Sequence, residues 1–392
     1  MGGPSLRLGI FGVGRMGLVH LEHLVGLARA RAIELVAIGD RYAPALASAH
    51  DQLTACGGLP LTAPLKPFAT PEAMAAEAGL DAAVVASRTS DHARDSLAFA
   101  SRQIPVLVEK PLANSVAEAA ALCAAPGVAG GRLVQVAFQR HYDAAAQAAS
   151  GWVATGRIGE LQQSHHVLQD KNPTPANYQS CGITADMAIH LIFEAMTFHA
   201  FALPRTVQAL RFMAPHYDDR AGEGANVVHA FCRWADGSLA HLWGSRINNT
   251  GYDNGFKLIG TKGRIDVGEF CGDFGIVSAK LWLGTGEGRP ARGTLSEALE
   301  FPMAAPAATH PDFYPRYAAA YAAELAAFLD HVRLGTPFAI GAEVGWKTQL
   351  VADTAEASSC LGGREVELIL PDGAAIRTAE DAATFFAAVA PR

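Results

Sequence analysis

From residue 6 to about residue 138, short apolar runs alternate with alanine-rich helical stretches. The strand candidates are 6–11, 33–38, a weaker one at 65–68, 82–86, 106–108 and 133–138. Most lack polar alternation, which is how a strand reads when helices cover both of its faces. The rhythm predicts about six parallel strands in βαβ units, a doubly wound sheet.

Beyond residue 138 the pattern changes. A helix is expected over 143–155, a strand over 161–168, a proline-rich connection at 173–175 and a helix over 186–201. The runs 227–234, 239–245 and 256–259 follow with turn residues such as Asp236-Gly237 between them, and without interspersed helices they predict an antiparallel sheet. Residues 284–311, rich in Gly, Pro and Ala, read as a long excursion, a mobile or oligomer-contacting loop. In the helix expected over 314–333, Tyr317, Tyr321, Leu325 and Phe328 form an apolar stripe, and Gly335-Thr336-Pro337 stops it. The reading is an α/β chain with a dinucleotide-binding domain at 1–138 and a substrate-binding and oligomerisation α/β domain at 139–392.

Composition narrows the function classes. Of 392 residues, 50% are hydrophobic, enough for a large core, and 31 Lys plus Arg against 38 Asp plus Glu leave no basic excess for a nucleic-acid partner. No apolar run reaches the ~20 residues of a membrane helix, and the first one lacks the flanks of a secretory leader. Six cysteines scattered without C-x-x-C spacing predict neither a zinc site nor a disulfide framework, as expected of a cytoplasmic protein.

Gly12-Val13-Gly14-Arg15-Met16-Gly17 matches G-x-G-x-x-G between the first strand and a helix starting near Arg15. Alone, the hexapeptide also describes a turn without ligand. The context is that of a dinucleotide site: the first glycine allows the tight turn, the second lets a pyrophosphate approach, the third lets helix and strand pack, and the helix N-terminus attracts the anion. Asp40, 23 residues after Gly17 at the end of the second strand, is placed to bind ribose hydroxyls and to repel a 2′-phosphate, favouring NAD. Arg41 leaves NADP open, since it can stack on adenine or pair with that phosphate. Ser87, Arg88, Thr89 and His92, after the fourth strand, are expected to line the cofactor cleft.

The fifth strand ends in Val108-Glu109-Lys110-Pro111, which puts Lys110 at the sheet edge where open α/β proteins bind ligands. There an ammonium favours alkoxide character on a reacting oxygen or joins a proton relay; a surface lysine ahead of a helix is the plainer alternative. Asp186 and His190, four residues apart, share a helix face. A neutral imidazole, with an ordinary pKa of ~6.5, can take a hydroxyl proton as hydride leaves the same carbon, and Asp186 would orient it. A satisfied core histidine is the alternative, and a metal site lacks a third ligand of suitable spacing. His165 and His166, adjacent in a strand, are expected to face opposite sides. Tyr252, Asp253 and Asn254 are weaker candidates.

Taken together, the glycine turn, the acidic end of the second strand, Glu109-Lys110-Pro111, Asp186-Met187-Ala188-Ile189-His190, residues 138–143 and 181–186, Tyr321-Ala322-Ala323-Glu324-Leu325 and Gly362-Gly363-Arg364-Glu365-Val366 resemble the glucose-fructose oxidoreductase, inositol dehydrogenase and rhizopine-catabolism (Gfo/Idh/MocA) family over nearly the whole chain. The resemblance implies an N-terminal Rossmann domain and a C-terminal α/β domain with an open, largely antiparallel sheet. It further implies a homo-oligomer, dimer or tetramer, and NAD-dependent oxidation of a secondary hydroxyl on an inositol-like cyclic polyol or pyranose sugar. By it, Glu109 and Lys110 join the cofactor residues, and Lys110, Arg140, Asn172, Tyr178, Gln179, Asp186 and His190 are substrate-binding candidates. Leu191, where many relatives carry Asp, and His141, in place of a common arginine, depart from the pattern and leave the particular polyol open. The alternatives are an NADP-dependent sugar or ketone reductase, an NAD-using glycosidase, and a non-catalytic dinucleotide-binding regulator on the same scaffold.

Overall fold

Wholly apolar tetrapeptides such as Ala82–Val85 can be satisfied only inside a sheet covered on both faces, and this chain uses them so. The computed structural model describes residues 5–30, 33–55, 65–171, 182–217, 219, 222, 224–268, 275–284, 293–306 and 310–390. They fall into two units, one of residues 1–138 and 321–346, the other of 139–320 and 347–392.

The first unit runs β1 (Leu6–Phe11), α1 (Arg15–Ala30), β2 (Ile33–Gly39), α2 (Ala43–Ala55), β3 (Lys66–Phe68), α3 (Pro71–Glu77), β4 (Ala82–Val85), α4 (His92–Ala100), β5 (Val106–Glu109), α5 (Val116–Cys123) and β6 (Val134–Ala137). Its helices start where small polar residues satisfy free N–H groups: Thr70 accepts from Ala73 N–H ahead of Pro71, and Ser115 from Glu118 N–H. The six strands pair in the order β3-β2-β1-β4-β5-β6, all parallel, as the apolar rhythm led one to expect. The order reverses between β1 and β4, which opens a crevice at the carboxyl ends of those strands. Leu8, Ile10, Leu21, Leu24 and Leu107 share a core with Leu325 and Phe328.

The chain continues with α6 (Ala144–Ala154), β7 (Leu161–Gln169), a π-helical turn at Thr184–Ala188, α7 (Ile189–Thr197), β8 (Thr206–Phe212), β9 (Val227–Arg233), β10 (Leu239–Ser245), β11 (Asp253–Gly260), β12 (Gly263–Val267), β13 (Ile276–Gly284), β14 (Gly293–Pro302), α8 (Tyr314–Leu334), α9 (Ala342–Cys360), β15 (Val366–Glu367) and α10 (Ala379–Val389). Nine strands form the second unit's sheet in the order β14-β13-β12-β11-β7-β10-β9-β8-β15. Only β7 and β10 pair in parallel, so the sheet is largely antiparallel. Trp152 and neighbouring alanines of α6 pack on Phe256, Leu258, Ile265 and Leu281. Along β7 the buried residues are Ser164, His166 and Leu168, so His165 and His166 do face opposite sides.

One expectation is corrected. The excursion read over 284–311 contains β14, a ten-residue strand paired with β13. It is an edge strand with almost every residue exposed, so no buried face imposes the alternation that marks a strand in sequence. Among the described residues no helix is long and apolar enough to cross a membrane.

Candidate active site

In the first unit the glycine turn sits at the strand-order reversal. Gly12 has φ +89°, and a Cβ there would lie 2.3 Å from Ser87 N, so the turn after β1 presses on the loop after β4. A Cβ at Gly17 would lie 2.0 Å from Gly12 O, whereas one at Gly14 would meet nothing within 4 Å. Two glycines are thus required by packing, and the middle one faces open space in which a pyrophosphate can reach the backbone. Arg15 and Met16 open α1, with Gly14 and Arg15 exposed.

Asp40 ties the ribose side to this turn. Its carboxylate accepts from Val13 N–H (2.9 Å) and Tyr42 N–H (2.8 Å), which leaves lone pairs for hydroxyl donors. Arg41 forms a two-pronged pair with Asp95 (2.7 and 2.6 Å), which is 0% exposed, and lies 5.1 Å over the Phe11 ring. That fork raises the guanidinium's pKa and takes up the charge that a 2′-phosphate would need. A dinucleotide without that phosphate therefore fits these residues.

After β4, Ser87 and Thr89 are half-buried and Arg88 is exposed. His92, expected to line the cleft, is instead buried: Nδ1 lies 2.7 Å from Pro111 O and Nε2 3.1 Å from Ser87 O. Burial lowers its pKa, so the ring is neutral and one N–H donates, which fixes the loop after β4 against the Lys110-Pro111 step. Glu109 is likewise turned inward. His20 Nε2 donates to its Oε1 (2.8 Å), and Lys110 N–H to its Oε2 (3.1 Å). Burial alone would raise this carboxyl, but the His20 bond and charge, with Lys110, hold it below the ordinary range. Glu109 thereby sets the backbone from which half-buried Lys110 projects. The sequence reading missed His20; its signal is a polar residue three positions after Gly17 on the face of α1 that must bury. A cavity of about 470 Å³ lined by Gln103, Pro105, Arg132, Leu133 and His331 lies at the opposite, amino-terminal edge of β5 and β6, away from this chemistry.

In the second unit the other candidates gather at one end of the sheet. β7 and β10 end there at Gln169 and Ser245, β11 begins there at Asp253, and Asp170 N–H donates to Ser245 O (2.8 Å). From Ile183 to His190 only Asp186 and His190 are partly exposed, so the four-residue spacing does put both on the face turned from the core. Asp186 lies in the π-helical turn, a distortion found frequently at functional sites. Its Oδ2 accepts from Arg246 Nη2 (2.7 Å), a partner 60 residues away that sequence spacing gave no means of finding. Tyr252 has its phenol pushed up to about 12 by burial, so it stays a neutral hydroxyl, and burial also raises Asp253.

Arg140 is placed differently from the reading of it as a substrate contact. It is 2% exposed and donates from Nη1 to Glu194 Oε1 (2.7 Å), while His166 Nδ1 lies 3.4 Å from Glu194 Oε2. The guanidinium carbon is 5.2 Å from the Tyr317 ring centroid, and the Asn254 amide, with its oxygen turned to accept from Nη1 and Nη2 (2.8 Å each), bonds the Tyr317 hydroxyl. Arg140 is thus the centre of a buried network. Asn172, Tyr178 and Gln179 lie outside the described residues.

The chain is similar to known proteins over most of its length. The model of an oxidoreductase family with an NAD-binding Rossmann fold matches residues 6–138, and that of the GFO/IDH/MocA C-terminal domain matches residues 146–266. The inositol 2-dehydrogenase of Rhizobium meliloti (strain 1021) is 28% identical over 355 residues, 90% of this chain and 96% of its own. The myo-inositol 2-dehydrogenase of Thermotoga maritima is 26% identical over the same coverage of each chain, 90% and 96%. The crystal structure of a myo-inositol dehydrogenase from Corynebacterium glutamicum ATCC 13032 superposes with TM-score 0.73 and 27% identity, covering 93% of this chain and 99% of that one.

Proposed function

The chain belongs to the GFO/IDH/MocA oxidoreductase family, and from that premise we propose that it is an NAD-dependent dehydrogenase oxidising one secondary hydroxyl of a cyclic polyol. The observation that carries the reading is the fit of the dinucleotide residues: an open Gly14, a fixed Asp40 carboxylate and an Arg41 already committed to Asp95. Near-full-length similarity to proteins named inositol 2-dehydrogenase supports the substrate class.

NAD, held by the turn at residues 12–17 and by Asp40, supplies the hydride acceptor when bound. The chain's own residues do the rest. His190 takes the hydroxyl proton on a ring nitrogen, and Lys110 stabilises the negative charge that grows on the same oxygen. Asp186, braced by Arg246, orients the imidazole or a neighbouring hydroxyl. The balance is polyol plus NAD+ giving ketone, NADH and a proton. The homo-oligomer is part of the proposal, supported by Leu210, Phe212, Phe231 and Trp243, which are 54%, 48%, 38% and 37% exposed on β8, β9 and β10; size-exclusion chromatography giving a monomer would remove it. The compartment we propose is the reducing cytoplasm, in keeping with Cys123, Cys232 and Cys360 as free thiols.

Following reduced cofactor at its absorbance band with inositols, pyranoses and sugar acids, each with NAD and with NADP, tests the reading. Steady NADH formation with at least one cyclic polyol is expected; tight NAD binding without turnover of any of them would contradict it and favour a regulator. In Asp40→Ala, KM for NAD should rise about 10–100-fold, the loss of a charged hydrogen bond, and more than KM for NADP. An unchanged ratio would remove Asp40 from cofactor choice.

A further inference from the structure

Among the described residues of the first unit, Glu324 is the one acid with both carboxyl oxygens buried and unpartnered. It lies in α8, is 0% exposed, and neither carboxyl oxygen has a hydrogen-bond partner among the described residues. Three residues earlier on the same helix, Tyr321 meets the His20 ring edge-on at 5.8 Å and stacks on His23 at 6.1 Å. His20 in turn holds Glu109, whose charge acts directly on Glu324. So Glu324 is fully buried within reach of the charge of the carboxylate that fixes the Lys110 backbone.

The ionisable groups around it favour the protonated form. Glu109 of β5 acts on it as a like charge, and His20 and His23 of α1 meet Tyr321, three residues earlier on α8. The neighbouring imidazole is already given to Glu109. An ionised Glu324 would be a second, unpaired negative charge out of water, which costs more than keeping the proton. Burial and the Glu109 charge both raise its pKa well above 4.5.

We propose that Glu324 is a positioning residue: a carboxylic acid kept neutral so that Glu109 alone carries the charge in this pocket and keeps its grip on His20 and on Lys110 N–H. Were both ionised, Glu109 would be driven to take up a proton, and its two acceptor bonds would weaken. The inference deepens the proposed function because it rests on the role given there to Lys110.

The test uses the full chain with NAD bound, as Glu324→Gln, which mimics the neutral acid, and Glu324→Ala, which removes it. Infrared difference spectra of wild type against Glu324→Gln at pH 7 should show the C=O stretch of a protonated carboxyl in wild type only; its absence overturns the inference. Stability gives a second readout. The unfolded chain releases this proton near pH 4.5 while the folded chain keeps it, so wild-type stability falls as pH rises from there towards the folded pKa. The Tm advantage of Glu324→Gln over wild type should therefore be near zero at pH 4 and grow towards pH 8; a constant difference contradicts a buried neutral acid. Glu324→Ala empties a fully buried site, so water can reach Glu109 and compete for its two bonds; kcat should fall about 10–100-fold with KM for NAD little changed, and Glu324→Gln, which fills the space with a neutral group, should restore it. Unchanged kcat in Glu324→Ala, with the band present, overturns the positioning role. Loss of kcat there alongside a fully active Lys110→Ala overturns the proposed role of Lys110 instead.

Discussion

His190→Ala is expected to lower kcat for polyol oxidation by about 10²–10⁴-fold, the range in which a positioned general base contributes. KM for NAD should stay within a few-fold, because the turn at residues 12–17, Asp40 and Arg41 belong to the first unit and His190 to the second. His190 is partly exposed beside Asp186 on the outward face of a π-to-α-helical segment, so truncation leaves no core cavity. Lys110→Ala should fall by a comparable factor, and the double variant by little more than either single one, since groups acting on one oxygen are not additive. Near-wild-type kcat in either single variant, measured with saturating NAD, would refute the assignment of that residue.

Arg140→Ala is expected to cost about 3–5 kcal/mol of stability, the loss that follows when one partner of a buried ion pair is removed. The reason is the company it keeps. Glu194 is held ionised below the ordinary carboxylate range despite its burial, by Arg140 and by the His166 bond, and it would be left without its main counter-charge. Tyr317 would lose one of its two cation–π partners and keep Arg316, whose guanidinium carbon is 4.8 Å from the ring centroid. Arg316 is itself paired with Asp143, which caps α6 by accepting from Ala146 N–H at 3.0 Å, so the damage should reach that helix start. Urea or thermal unfolding of the variant measures this, each kcal/mol corresponding to about 2–4 °C in Tm for a unit of this size. Unaltered stability with a hundredfold higher KM for the polyol would show instead that Arg140 serves the substrate.

These expectations show which parts of the molecule could be read from sequence. The first sheet was legible because burial on both faces writes itself as uninterrupted apolar runs, and the glycine turn because its sterics admit little else at Gly12 and Gly17. That Asp186 and His190 share a partly exposed face was legible through helical spacing alone. The surroundings of Arg140 were not: an arginine beside polar residues reads as a ligand contact, and the fold adds that Glu194, Tyr317 and Asn254 surround it. Arg246 and His20 escaped because their partners, Asp186 and Glu109, lie 60 and 89 residues away. β14 escaped because an exposed edge strand carries no buried face to set a period.

The proposed reaction passes hydride from a polyol carbon to NAD. Turnover of ring-perdeuterated cyclic polyol with unlabelled NAD, followed by NMR of the recovered NADH, tests it most directly. One deuteron at C4 of the dihydronicotinamide per ketone formed is the expected result. Ketone formed with unlabelled NADH, or no NADH from any polyol by a protein that binds NAD saturably, would contradict it.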